Sequence, residues 1–317
     1  MSLVKLKSKD LLDLESLSKE ELELVLAQTA SFKEVVRRPV KKVPALRGKT
    51  VINLFFETST RTATSFHLAA ERLSADVVDI KVADSSVTKG ESLLDTVATF
   101  EAMNLSVLIM RSKHAGACAL VAGRSKASII NAGDGMHEHP TQGLLDLYSI
   151  REAKGRIEGL KVAIVGDILH SRVARSDVWG LLKLGVGEIR LCGPATMCPP
   201  ALAKVWGDPR VKVCHDLREA IEGADVVNML RLQLERQQRF LFPSTREYSR
   251  LYSLNSEKLG WCKQDVTVMH PGPMNRGLEI SSGVADGPHS IIREQVTNGV
   301  AVRMAVLYLL AGNEEAA

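Results

Sequence analysis

The sequence predicts an α/β protein of two domains, each a parallel sheet flanked by helices, joined by interdomain helices. Three observations carry that expectation. Short, mostly apolar runs rich in valine and isoleucine alternate with stretches whose apolar residues recur at helical spacing. The runs form two series, with one helical pattern between them. A chain of 317 residues also suits two cores, each of roughly 150 residues.

The first series comprises residues 51–56, 77–80, 106–110 and 127–131. Behind its first run, Phe66, Ala69, Ala70 and Leu73 mark a helix at i, i+3, i+4 and i+7. Residues 92–100 read as a second helix, preceded by a polar loop over 84–91. Leu144, Leu145, Leu147, Tyr148 and Ile150 mark a helix that starts after His139 and is closed by Lys154-Gly155-Arg156. That helix bridges the two series. The second series is 161–165, 188–192, 211–213, 226–230 and 266–270. A last helix, about 292–310, carries Val296, Val300, Val302, Ala305, Val306 and Leu309, and the final four residues are expected to fray.

Composition excludes several function classes. The hydrophobic fraction of 45% and charged fraction of 25% are those of a soluble globular protein. Formal net charge is +4 with the basic residues scattered, so no patch for nucleic acid is expected, while small anionic substrates are accommodated. Five dispersed cysteines contain no Cys-x-x-Cys pair, which argues for reduced thiols in a cytosolic protein. The start of the chain lacks a signal-peptide apolar core and no segment approaches a membrane span, so the expected location is cytoplasmic. After the run 161–165 the turn Gly166-Asp167-Ile168-Leu169 lacks the further glycines of a dinucleotide site. No cofactor is expected.

Three motifs carry chemistry. Phe55-Phe56-Glu57-Thr58-Ser59-Thr60-Arg61-Thr62 breaks an apolar run into hydroxyls and one arginine at a helix start. Ser59, Thr60, Arg61 and Thr62 then aim free backbone N–H groups, hydroxyls and a guanidinium at one spot, as a phosphate requires. Ordinary N-capping would use Ser or Thr alone; the arginine inside the turn goes beyond it. The second motif is Gly133-Asp134-Gly135-Met136-His137-Glu138-His139-Pro140-Thr141-Gln142. Its His137-x-His139 pair lacks a third and fourth ligand at supporting spacing, so no metal is expected. The third is His270-Pro271-Gly272-Pro273-Met274-Asn275-Arg276-Gly277.

Ser-Thr-Arg-Thr and His-Pro-Thr-Gln at this separation resemble the aspartate/ornithine carbamoyltransferase family, and the resemblance covers nearly the whole chain. The third motif resembles the aspartate-using branch; the His-Cys-Leu-Pro segment and Ser-Met-Gly loop expected of an ornithine enzyme are absent from the sequence. The resemblance implies transfer of a carbamoyl group from carbamoyl phosphate to L-aspartate, in pyrimidine synthesis. It implies a carbamoyl-phosphate-binding domain of residues 1–140 and 293–317, with the last helix folding back, and an aspartate-binding domain of 141–292. Arg111 would touch phosphate and carbonyl, His139 would donate to the carbonyl oxygen, and Gln142 with the backbone at Gly272 and Pro273 would meet the carbamoyl amide. Arg172, Arg231, Gln233 and Lys89 would hold aspartate, with Arg236 at most holding the loop. Lys89 and a loop serine, Ser85 or the adjacent Ser86, would reach in from a neighbouring subunit of a homotrimer. A regulatory chain or a dihydroorotase partner is compatible with the same resemblance. The sequence departs from the family at Ala63 and His67, where an arginine and a glutamate are usual, so an i,i+4 charge pair is lost. Two other readings are a carbamoyltransferase for another amine and a catalytically silent carbamoyl-phosphate-binding scaffold.

Overall fold

The computed structural model of the chain describes residues 6–81, 91–232 and 241–312. It divides into two compact units, Met1–Leu145 with Thr297–Ala317, and Asp146–Val296. The first unit holds strands β1 (Thr50–Phe55), β2 (Asp76–Lys81), β3 (Leu105–Ser112) and β4 (Ser128–Asp134) in the order β2-β1-β3-β4, all parallel. The second holds β5 (Lys161–Val165), β6 (Glu188–Cys192), β7 (Val211–Cys214), β8 (Val226–Met229) and β9 (Thr267–Met269) in the order β7-β6-β5-β8-β9, again parallel. The two series of apolar runs are therefore two sheets.

Parallel strands covered on both faces bury nearly every residue, and the inner strands β1, β3, β5 and β8 accordingly read as near-continuous apolar runs, whereas β2, β6 and β7 keep exposed or half-buried polar residues. Val107, Leu108, Ile109 and Met110 of β3 are all fully buried, and β4 is buried along its whole length. Leu108, Met110 and Ile129 pack with Ile52, Leu54, Val97 and Val121 into a core cluster of the first unit. A Leu or Ile held in this way stabilises the unit by about 1.5–3 kcal/mol relative to its exposed state.

The helices of the first unit are α1 (Lys19–Arg37), α2 (Thr60–Arg72), α3 (Leu93–Glu101), α4 (Ala117–Ala122) and the start of α5 (Pro140–Lys154). The second unit contains α6 (Arg172–Lys183), α7 (Leu217–Ile221), α8 (Thr245–Tyr252), α9 (Ser256–Leu259), α10 (Ser282–Ala285) and the start of α11 (Ile292–Ala311). The units divide inside α5 and α11, so these two helices link them. Beyond the division, α11 sets Arg303 over the Phe66 ring of α2 at 4.9 Å and Tyr308 edge-on to Phe32 of α1. No helix among the described residues is long and apolar enough to cross a membrane.

Candidate active site

In an open parallel sheet, loops leave the carboxyl ends of the strands in opposite directions where the strand order reverses, and a crevice opens there. In the first unit β2 lies on one side of β1 and β3 on the other, so the reversal falls between β1 and β3. Ser59–Thr62 follows β1, and Arg111 sits opposite Phe55 at the end of β3. The Phe56 N–H donates to the Arg111 carbonyl at 2.9 Å, fixing the start of the motif beside the arginine. β3 runs on to Ser112, past the expected end at 110, so Arg111 lies within the strand and not in the loop after it.

α2 begins at Thr60 with Ser59 at the N-cap, yet the Ser59 side chain makes no capping bond and the first turn holds no acidic residue. By contrast Ser18, Ser92, Ser171 and Ser244 each cap their helices with a side-chain oxygen. A first turn with no side-chain cap and no acidic residue is one that suits an anion. Arg61 is exposed and Thr62 is buried. Arg111 is braced across the sheet end: its Nε donates to Glu57 at 3.2 Å and its Nη1 to the Ala132 carbonyl at 3.2 Å. Glu57 stands inside the first motif, and its role as the arginine's holder is not visible from sequence.

His139 and Gln142 are buried at the start of α5, where the Gln142 and Gly143 N–H groups donate to the His139 carbonyl. Pro140 occupies the first helical position, where its missing N–H costs nothing. The loop before them is tied down by polar residues that the sequence reading assigned no role. Asn131 Nδ2 donates to Asp134 Oδ1 (2.8 Å) and to the Leu12 carbonyl (2.7 Å), and the Gly116 N–H donates to Asp134 Oδ2 (2.7 Å). Glu138 accepts the Leu14 N–H at 2.8 Å. Gly135 has φ of 49°, and a Cβ there would lie 2.7 Å from the Ala115 nitrogen, so no other residue fits.

His137 is paired with Asp134, Nδ1 to Oδ1, at 3.1 Å. That hydrogen bond holds the imidazole above its ordinary value of 6.5 against the opposing effect of burial. Burial pushes Asp134 up, but bonds from His137, Asn131 and Gly116 outweigh it and leave the carboxyl below 3.8. The pair's contribution is then complete between 3.8 and 6.5. It is lost as pH rises through the raised histidine value or falls through the lowered aspartate value. With the ring 38% exposed, solvent screening limits it to under about 1 kcal/mol. Thermal unfolding against pH should show wild-type stability declining above pH ~6.5 more steeply than that of His137→Gln; identical slopes would contradict the pairing.

His67, at a position of family departure, has its Nδ1 2.8 Å from Asp79 Oδ2, while Asn53 Nδ2 donates to Asp79 Oδ1 at 2.6 Å. The His67–Asp79 contact runs from α2 to β2.

In the second unit β6 and β7 lie on one side of β5 and β8 on the other, so the order reverses between β5 and β8. Arg172 follows β5 as the buried first residue of α6, and Arg231 follows β8 two residues past its end at Met229. The Leu230 N–H donates to the Val165 carbonyl at 2.8 Å. A Cβ on Gly166 would come 2.9 Å from the Leu230 Cβ, so glycine lets the two loops meet. Asp167 orients the approach to Arg172, with His170 Nδ1 at 2.8 Å and the His170 N–H at 3.2 Å from its Oδ1. The third motif leaves β9, with Gly272 at φ 64° and Pro273 exposed. Ser85, Ser86, Lys89, Gln233 and Arg236 lie outside the described residues.

The family described as "Aspartate/ornithine carbamoyltransferase, carbamoyl-P binding domain" matches residues 9–152, and its "Asp/Orn binding domain" matches residues 158–310. The chain is 59% identical over 304 residues to the aspartate carbamoyltransferase catalytic subunit of Heliobacterium modesticaldum, covering 96% of each. To that of Endomicrobium trichonymphae it is 59% identical over 305 residues, again covering 96% of each. Among solved structures, aspartate transcarbamoylase from Trypanosoma cruzi in complex with N-(phosphonacetyl)-L-aspartic acid aligns with TM-score 0.88 at 29% identity, over 96% of both chains. Ornithine carbamoyltransferase from Pyrococcus furiosus aligns with TM-score 0.88 at 27% identity, over 99% of this chain and 100% of that one. With both domains matched along its length, the chain belongs to the aspartate/ornithine carbamoyltransferase family and is a carbamoyltransferase.

Proposed function

We propose that the chain transfers the carbamoyl group of carbamoyl phosphate to the amino group of L-aspartate, giving N-carbamoyl-L-aspartate and phosphate, in cytoplasmic pyrimidine biosynthesis. The observation that carries the choice of amine is the placement of Arg172 and Arg231 on either side of the β5–β8 reversal. Two guanidiniums there suit the two carboxylates of aspartate, each a candidate for a charge-assisted, bidentate contact. The cationic side chain of ornithine would meet like charge, which discriminates against it. Backbone likeness does not separate the two, since both kinds of enzyme align equally well; the relatives of highest identity named above are aspartate enzymes.

In this reading residues 1–140 with 293–317 bind carbamoyl phosphate and 141–292 bind aspartate. Ser59, Thr60, Arg61 and Thr62 hold the phosphate, and Arg111 bridges phosphate and carbonyl. His139 donates to the carbonyl oxygen, whose charge grows as the amine attacks, so this donor gains value in the tetrahedral transition state. Gln142 and the backbone carbonyls at Gly272 and Pro273 take the carbamoyl amide. The amine lone pair forms the C–N bond, the C–O bond to phosphate breaks, and the amine's proton leaves with the departing phosphate, with no covalent enzyme intermediate. Arg172, Arg231 and Gln233 aim the amine by holding its carboxylates, the proximity part of catalysis. Lys89 and Ser85 complete a neighbour's site in a closed trimer, a heterologous contact repeated around a three-fold axis.

The deciding experiment measures phosphate release from carbamoyl phosphate with L-aspartate and, separately, with L-ornithine. Aspartate-dependent release is expected; ornithine-dependent release would overturn the choice of amine, and release with neither would favour a silent scaffold. Sedimentation equilibrium should give a trimer, and a monomer would remove the shared site.

A further inference from the structure

We propose that Glu279 is a positioning residue that sets both substrate-contacting segments of the second unit, the Gly272–Pro273 turn and the strand end carrying Arg231. The inference rests on the reading that those segments touch substrate. The side chains of His270 and Glu279 are both fully buried, at 0% exposure. A carboxylate in that position is costly unless its hydrogen bonds do something an apolar side chain of like volume could not.

The geometry shows what they do. The Gly272 N–H donates to His270 Nδ1 at 2.8 Å, so Nδ1 is the acceptor and, in the neutral ring, the proton is on Nε2. Nε2 lies 3.2 Å from Glu279 Oε1 and donates to it. The same Oε1 accepts the Asn275 N–H at 2.6 Å. Asn275 Nδ2 in turn donates to the carbonyl of Leu232, the residue after Arg231, at 3.3 Å. One carboxylate oxygen is therefore the junction of two arms. The first runs through His270 to the backbone at Gly272, and the second through Asn275 to the backbone beside Arg231. A third tie holds the junction in place: the His270 N–H donates to Gln295 Oε1, and Gln295 Nε2 donates to Asp146 Oδ1 at 2.7 Å. Because misplacement of a contacting group by about 1 Å can cost 10²-fold in rate, an anchor shared by both arms controls turnover without touching substrate.

The test uses the full chain and three variants. Glu279→Leu keeps the volume and removes the acceptor, while Glu279→Gln keeps an oxygen able to accept both donors. His270→Asn keeps an acceptor for Gly272 but is too short to reach Glu279. Glu279→Leu and His270→Asn should lose about 10- to 100-fold in kcat/KM for aspartate, with Glu279→Gln restored to within a few-fold of wild type. Affinity for inorganic phosphate, measured by calorimetry, should stay native in all three. Wild-type kinetics in a folded Glu279→Leu protein, or a lowered melting temperature with unchanged kinetics, would overturn the inference. So would a Glu279→Gln protein as impaired as Glu279→Leu, since charge rather than geometry would then be the cause. If Glu279→Leu fails to fold, full activity in His270→Asn overturns it alone. Arg231→Ala in the same assays separates the two layers. An unchanged KM for aspartate there would remove the functional reading beneath, whereas a raised KM beside a silent Glu279→Leu would remove only this inference.

Discussion

Arg61→Ala should lower turnover by about 10²- to 10³-fold, the scale of losing one donor from a preorganised site, while the fold stays native. The side chain is exposed at the second position of α2, so its removal opens no cavity and leaves the Phe66, Ala69 and Ala70 packing untouched. What it removes is the only cation within the Ser59–Thr62 turn. The uncapped first turn of α2 and the braced Arg111 still attract an anion, so some phosphate binding should survive. The expected signature is a collapse in kcat beside a smaller loss of carbamoyl phosphate affinity. Steady-state kinetics and circular dichroism on the purified variant check it, and near-native turnover in a folded protein would contradict the phosphate assignment.

Arg231→Ala should raise KM for aspartate by roughly 10- to 100-fold, the range for losing a hydrogen bond to a charged group, with carbamoyl phosphate affinity close to wild type. The division follows from the fold, since Arg231 leaves β8 in the second unit while Ser59–Thr62 and Arg111 belong to the first. Calorimetric titration with each ligand reads the two effects apart. Equal losses for both would contradict the assignment of one substrate to each unit.

Much of this was legible in the sequence because parallel strands announce themselves. Val107 to Met110 are buried on both faces, and such a strand is an unbroken apolar run whatever surrounds it. The helix at 60–72 was legible from Phe66, Ala69, Ala70 and Leu73, which are all buried. α1 was missed, although Ser18 and Glu21 form a capping box that is a local signal at its start. The strand order was not legible, because which strand lies beside β1 or β5 is decided by long-range pairing. Without it, the convergence of Ser59–Thr62 with Arg111, and of Arg172 with Arg231, could only be implied by resemblance. The braces were hidden for the same reason. Glu57, Asn131, Asp134 and Glu279 read as ordinary polar residues until their partners, three to 119 positions away, are in place. Asn131 and Asp134 at the end of a run that is otherwise apolar were the one available hint.

The central claim is that the two strand-order reversals divide the ligands, phosphate at β1–β3 and a dicarboxylate at β5–β8. A crystal structure with inorganic phosphate and succinate, which has the two carboxylates but no amine to react, tests it most directly. Phosphate should lie at the α2 N-terminus against Ser59–Thr62 and Arg111, and the succinate carboxylates against Arg172 and Arg231. Succinate bound without either arginine, or phosphate bound away from the α2 N-terminus, would contradict the account.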